Sequence, residues 1–162
     1  MARPQHPQLV ISSFDGVRAH LARSSFDGIL SIGDPGSQPP IGVDVTSPLV
    51  LRLELIDELE LGIVGGPRRA HLEAITAFGQ WFQGTGLSVL VHCRQGVSRS
   101  SAAALVLLAQ ALGAGKEDEA VAALYRCEGG EDVRPNPAMV RLGDAVLERR
   151  GRLVRALVGR DG

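Results

Sequence analysis

Cys93 and Arg99 stand six positions apart in Val91-His92-Cys93-Arg94-Gln95-Gly96-Val97-Ser98-Arg99-Ser100. The apolar, β-branched run from Leu87 to His92 precedes this stretch, and an Ala- and Leu-rich run to Leu112 follows it. A loop between a buried strand and a helix makes a cradle for a tetrahedral dianion. Its backbone N–H groups converge at a helix N-terminus, where the macrodipole adds to their attraction. Arg94, Gln95, Gly96, Val97, Ser98 and Arg99 therefore read as the phosphate-binding residues. Gly96 permits a bend that a Cβ would hinder. Arg99 can present two parallel donors to two phosphate oxygens. The same positive field favours the thiolate form of Cys93, and a thiolate inside a phosphate cradle is a nucleophile for phosphoryl transfer. None of the four histidines pairs with another ligand at metal-site spacing, and Cys93 and Cys127 are 34 positions apart, so neither a metal nor a cofactor is expected.

Several elements must position that loop. Leu9 to Ser12 and Gly28 to Ile32 are short and apolar, and read as strands; Gly33-Asp34-Pro35-Gly36 stops the second. Leu49, Leu51, Leu53 and Leu55 alternate with Val50, Arg52 and Glu54, the period of a strand with one buried face. Leu87 to His92 reads as a central strand. Helical spacing predicts a helix over 14–23. A second helix is opened by Pro67, carries the stripe Leu72, Ile75, Phe78, Phe82, and is ended by Gly84-Thr85-Gly86. Further helices are predicted over 100–112, 117–127 and 137–147, with Gly151 breaking a basic C-terminal tail whose Arg149, Arg150, Arg152 and Arg155 read as a solvated face. Strands alternating with helices predict an α/β domain with a mostly parallel central sheet of four or five strands, flanked by helices on both faces. Ligands of such sheets bind beyond the carboxyl ends of the strands, where the Cys93 loop lies.

The composition suits one soluble domain over residues 1–162: 44% hydrophobic, 22% charged, with a formal net charge of −1. That balance argues against nucleic acid as a partner. No apolar run approaches the roughly 18–20 residues of a membrane span, and the opening MARPQHPQLVISSF lacks the features of a secretory signal. Two cysteines are too few for a disulfide framework, so a cytoplasmic location is expected.

His-Cys, five residues, then Arg and Ser resembles the signature of the cysteine-based protein tyrosine phosphatases. Gly96, Ser98 and Ser100 match the compact dual-specificity branch, and Arg134-Pro135-Asn136 resembles the stretch that packs behind the loop there. Asp57, ending a strand some 36 residues upstream of Cys93, is placed like that family's general acid. The whole chain, with Leu51-Arg52-Leu53-Glu54-Leu55-Ile56-Asp57 and a C-terminal Arg-Leu-Val-Arg-Ala-Leu, is most similar to small bacterial predicted tyrosine phosphatases. The resemblance implies the cysteine-phosphatase fold. It also implies a phosphorylated protein or small phosphate monoester as substrate, hydrolysed through a cysteinyl-phosphate. Cys93 would attack phosphorus and Arg99 would bind phosphate and stabilise the transition state. Ser100 would hydrogen-bond the departing sulfur, and His92 would fix the loop and support the thiolate. Asp57 would protonate the leaving group and then activate water. Ser98 and Asn136 read as residues bonding the loop itself, and Cys127 as a core residue of its helix.

Other assignments stay open at this level. Glu58 is the next choice of acid after Asp57, followed by Asp34 and Asp44; the Trp-Pro-Asp of the larger tyrosine-specific enzymes is absent. A phosphoinositide or nucleotide phosphatase could use the same scaffold, although only Arg94 adds a basic residue between Cys93 and Arg99. A non-catalytic phospho-binding module would lack an essential group, whereas Cys93, Arg99 and Ser100 are all present. A rhodanese-like sulfurtransferase also uses a loop cysteine after a strand, but Arg99-Ser100 with an upstream acid favours phosphate chemistry.

Overall fold

The computed structural model describes residues 6–161; residues 1–5, which begin the stretch read for a secretory signal, and Gly162 lie outside it. Four strands form one sheet in the order β1 (Gln8–Ser12), β4 (Ser88–His92), β2 (Gly28–Gly33), β3 (Val50–Glu54), and every pairing is parallel. The helices are α1 (Val17–Arg23), α2 (Arg69–Gly79), α3 (Arg99–Leu112), α4 (Glu117–Arg126), α5 (Pro137–Val146) and α6 (Arg152–Asp161).

Strand side chains alternate between faces, so Val89 and Val91 join the large core with α2 to α6, while Leu90 points to a smaller cluster with Val17 and Val43. The two faces are thus covered unequally: most helices stack on one, while α1 and the segment around Val43 close the other. Helix α3 is buried at every position from Arg99 to Ala109. A helix apolar on all sides belongs in a centre, and this one carries the Cys93 loop at its N-terminus.

Some boundaries differ from the pattern. Helix α1 starts at Val17, three residues after Phe14, because Phe14 is tied by its amide to Arg94 O. Pro67 does not open α2; Arg68 is its N-cap, and the amide of Arg68 donates to His71 Nδ1. The helix gives way to a 3₁₀ turn over Gln80–Phe82 before the Gly84 turn, which still buries Phe82. Leu49 precedes β3 and is exposed, so the inward face holds only Leu51, Leu53 and Leu55. The C-terminal tail is an ordered helix, entered through Gly151 at φ +83°.

Candidate active site

Cys93 leaves the end of central strand β4, and its Sγ lies 3.1 Å from Ser100 Oγ in the first turn of α3. Residues 93–98 belong to neither strand nor helix, and the first amides of α3 have no intrahelical acceptor. Gly96 sits at φ +74°, and a Cβ there would lie 2.7 Å from Ser13 N and 2.8 Å from Ser12 C. The backbone after β1 thus presses on the loop and leaves room for glycine alone. The far side is pinned by Arg134 N to Val97 O (2.9 Å) and Asn136 N to Ser98 O (3.1 Å). The loop's shape is therefore imposed by two remote segments.

A polar row crosses the carboxyl end of the sheet. Ser12, His92, Ser31 and Arg52 share one register across β1, β4, β2 and β3. His92 is fully buried, with Nδ1 3.2 Å from Cys93 O and Nε2 2.6 Å from Ser31 Oγ. A carbonyl can only accept, so Nδ1 carries the proton and Nε2 accepts from the Ser31 hydroxyl. Ser31 Oγ in turn accepts from Arg52 Nη1 at 2.9 Å. A donor-only guanidinium at one end and an acceptor-only carbonyl at the other set a single neutral tautomer. Burial pushes the His92 pKa down to about 4, helped by the charges of Arg52 and Arg99 and opposed by the bond to Cys93 O.

Arg99 is almost wholly buried. Its Nη1 donates to Asp34 Oδ1 (2.8 Å) and to Leu55 O (2.7 Å), while its Nε is buried with no hydrogen-bond partner among the described residues. An orphaned buried donor costs about 1–3 kcal/mol. That cost is removed by an oxyanion bound beside it, so the arginine fits a phosphate. Asp34, read as a reserve acid, instead grips this arginine.

Asp57 lies three residues beyond the end of β3 rather than on the strand. Its Oδ1 accepts from both Ser98 Oγ (2.7 Å) and Asn136 Nδ2 (2.8 Å). Asn136, read as bonding the loop, does so through its amide to Ser98 O, while its side chain and the Ser98 hydroxyl both reach Asp57 Oδ1 and leave Oδ2 as the outer oxygen. Asn136 Nδ2 also holds Glu58 O, and Asn136 Oδ1 caps α5 at Met139 N. The Asp44 carboxylate bonds its own turn at Thr46, which lowers its pKa, and Asp44 does not line the cavity that holds Cys93.

Cys93, Arg94, Gln95, Val97, Ser98 and Arg99 line a cavity of about 530 Å³ together with Asp57. Ile56, Leu59, Pro135 and Pro137 add apolar walls; the sequence alone assigned none of the four to a cavity wall. His92 and Ser100 are not on its surface but lie behind it. Among the described residues, no group of three or more His, Cys, Asp or Glu is placed to hold a metal ion.

Two readings elsewhere need correction. Arg149 is not on a solvated face: it is 5% exposed and donates to Ala109 O, Gly113 O and Glu117 Oε2. It satisfies carbonyls that the end of α3 leaves open. Cys127 caps α4 as a half-buried residue, and burial pushes its thiol up to about 11, aided by Glu131.

No protein-family model matches the chain, and no curated protein matches it. Solved structures do. DUSP15 superposes with a TM-score of 0.60 at 21% identity, covering 98% of this chain and 96% of that one. Human DUSP28 gives 0.59 at 23%, covering 91% and 96%. PTPMT1 in complex with PI(5)P gives 0.55 at 16%, covering 99% and 98%. The fold is that of the cysteine-dependent phosphatases. In that fold's terms, the Cys93 loop is the one at the carboxyl end of the central strand.

Proposed function

We propose that this protein is a metal-independent phosphate monoester hydrolase, of the protein tyrosine or dual-specificity type, acting through a cysteinyl-phosphate intermediate. One observation carries the reading: a single cavity gathers Cys93, Arg99 and Asp57 from three separate elements, with Ser100 Oγ 3.1 Å from the sulfur. In the first step the Cys93 thiolate forms an S–P bond as the P–O ester bond breaks. The electron pair goes to the ester oxygen, which takes a proton from Asp57 Oδ2. Arg99 and the loop amides stabilise charge on the equatorial oxygens. In the second step water attacks phosphorus, Asp57 takes its proton, and the S–P bond breaks. Ser100 donates to the sulfur as it regains its charge.

The apolar walls at Ile56, Leu59, Pro135 and Pro137 suit an aryl leaving group, such as the phenol of phosphotyrosine. A phosphoinositide or nucleotide substrate is the alternative within the fold; the neighbour solved with PI(5)P supports it. A lone nucleophilic thiol favours a reducing compartment, in keeping with a cytoplasmic location.

The test pairs two variants. Cys93→Ser should abolish turnover of phenyl phosphate while vanadate binding, measured by calorimetry, changes little. Ser100→Ala should convert para-nitrophenyl phosphate turnover into a burst followed by a slow phase, because hydrolysis of the intermediate is what its hydroxyl assists. Retained turnover in Cys93→Ser overturns the covalent mechanism.

A further inference from the structure

A second cavity, of about 510 Å³, lies against the catalytic one; Asp34, Arg94 and Gln95 line both. None of the chemistry above uses its interior. Its wall carries two guanidinium groups, Arg52 and Arg94. Arg94 is exposed on the rim. Arg52 is largely buried: Nη1 donates to Ser31 Oγ and Nη2 to Ser37 O and Oγ, while Nε has no hydrogen-bond partner among the described residues and stands 3.9 Å from Glu54 Oε2. Gly33 makes this placement possible, since a Cβ there would lie 2.5 Å from Arg52 Nη2. Burial pushes the Arg52 pKa down and the charge of Arg99 adds to that, with the Glu54 carboxylate opposing.

Two carboxylates also line the cavity. Asp34 is engaged by Arg99 at 2.8 Å, which leaves the exposed Asp15 as the lining acid with no cation partner among the described residues. The remaining polar walls, Ser37, Gln38 and Gln95, can donate and accept.

We propose that this cavity is a specificity subsite that takes a second anionic group, a phosphate or carboxylate, of the same substrate whose reacting phosphate sits over Cys93. Arg94 lies between the two cavities and makes the direct contact; Arg52 supplies the field beneath it. The guanidinium of Arg94 can read such an oxyanion bidentately. Asp15 opposes it and limits the affinity. The proposal rests on the phosphatase reading above.

The second anion can belong to a peptide or to a small phosphorylated polyol, and the experiment separates these sources. One arm compares phosphotyrosine peptides bearing Glu near the phosphotyrosine with the same peptides bearing Gln. The other compares soluble inositol bisphosphates with inositol monophosphates. The readout is the ratio of kcat/KM values within each pair, so a general change in activity cancels. In at least one arm the wild type should favour the doubly anionic member by about three- to tenfold, the effect of a charge-assisted hydrogen bond reduced by the exposure of Arg94. The arm that responds names the source. Arg94→Ala should bring the ratio to near one. Asp15→Asn should raise it by a few-fold while leaving phenyl phosphate turnover as it was.

If Arg94→Ala loses all turnover because the loop is disturbed, Asp15→Asn decides alone, and an unchanged ratio overturns the subsite. Ratios near one in both wild-type arms overturn it as well, even with brisk phenyl phosphate hydrolysis. Absence of hydrolysis of every substrate, phenyl phosphate included, overturns the phosphatase reading instead.

Discussion

Asp34 Oδ1 accepts a hydrogen bond from Arg99 Nη1 at 2.8 Å across 65 positions of sequence. Asp34 is about half exposed (49%) and Arg99 almost fully buried (5%), so the pair spans the boundary between solvent and core. With Leu55 O on the same nitrogen, Asp34 orients the guanidinium. Under the proposed function the Nε edge is left for the substrate, and Asp34 is a positioning residue.

Asp34→Ala should lower kcat/KM for phenyl phosphate about three- to tenfold, a range discounted for the exposure of the carboxylate. The loss should fall mainly in KM, and inhibition by inorganic phosphate should weaken in parallel. Asp34→Asn, whose amide oxygen still accepts, should lose less. Unchanged phosphate affinity in Asp34→Ala would show that Leu55 O alone orients Arg99.

The acid is tested by how badly the leaving group needs a proton. Asp57→Asn should slow phenyl phosphate on the order of a hundred- to ten-thousand-fold, but para-nitrophenyl phosphate far less. Asn136→Asp keeps the helix cap yet removes the donor to Asp57 Oδ1. It should show a weaker version of the same leaving-group dependence, together with a lowered melting temperature because a second, buried carboxylate then faces Asp57. Glu58→Gln should leave both substrates alone; a collapse there would move the acid one residue along.

His92 ties stability to pH. Its pKa of about 4 in the folded state lies below the ordinary 6.5, so the unfolded chain binds the extra proton first. Stability is therefore complete above about pH 6.5, falls as pH drops toward 4, and levels off below that. The displacement corresponds to about 3 kcal/mol. Urea midpoints between pH 7 and 4 should decline in the wild type. In His92→Asn, whose amide can still donate to Cys93 O, the decline should be shallower by that amount. Parallel profiles would mean that His92 is not the titrating group.

Arg149→Ala should destabilise by about 3–5 kcal/mol, because Glu117 is left buried and the carbonyls of Ala109 and Gly113 lose their donor. Arg152 also reaches Glu117, at 3.2 Å, but from a half-exposed position. Arg152→Ala should therefore cost less than about 1 kcal/mol. Thermal melts of the two variants separate these outcomes, and equal shifts would place the tail's stability elsewhere.

The cradle was legible in the sequence because its parts are contiguous. A β-branched run ending at His92, a glycine at position 96 and an apolar run from Ser100 can be read without distant partners, since strand, bend and buried helix are local consequences of residue type. The four strands and their parallel arrangement followed from the same local periodicities. What tertiary structure alone decided is which distant side chains face that cradle. Ser98 and Asn136 were visible as polar residues near the loop, but their bonds to Asp57 span 41 and 79 positions. The row of Arg52, Ser31 and His92 exists only because parallel pairing sets three strands in one register, and no period within one strand encodes the register between strands. Asp34 looked like an acid among acids until the turn after β2 brought it to Arg99. Arg149 looked solvated because its neighbours in sequence are charged, while the carbonyls it satisfies belong to a helix ending 37 residues earlier. Local chemistry sets what each segment can become; side-chain roles that depend on closing long loops are set by packing, where one burial or register choice determines many partners at once.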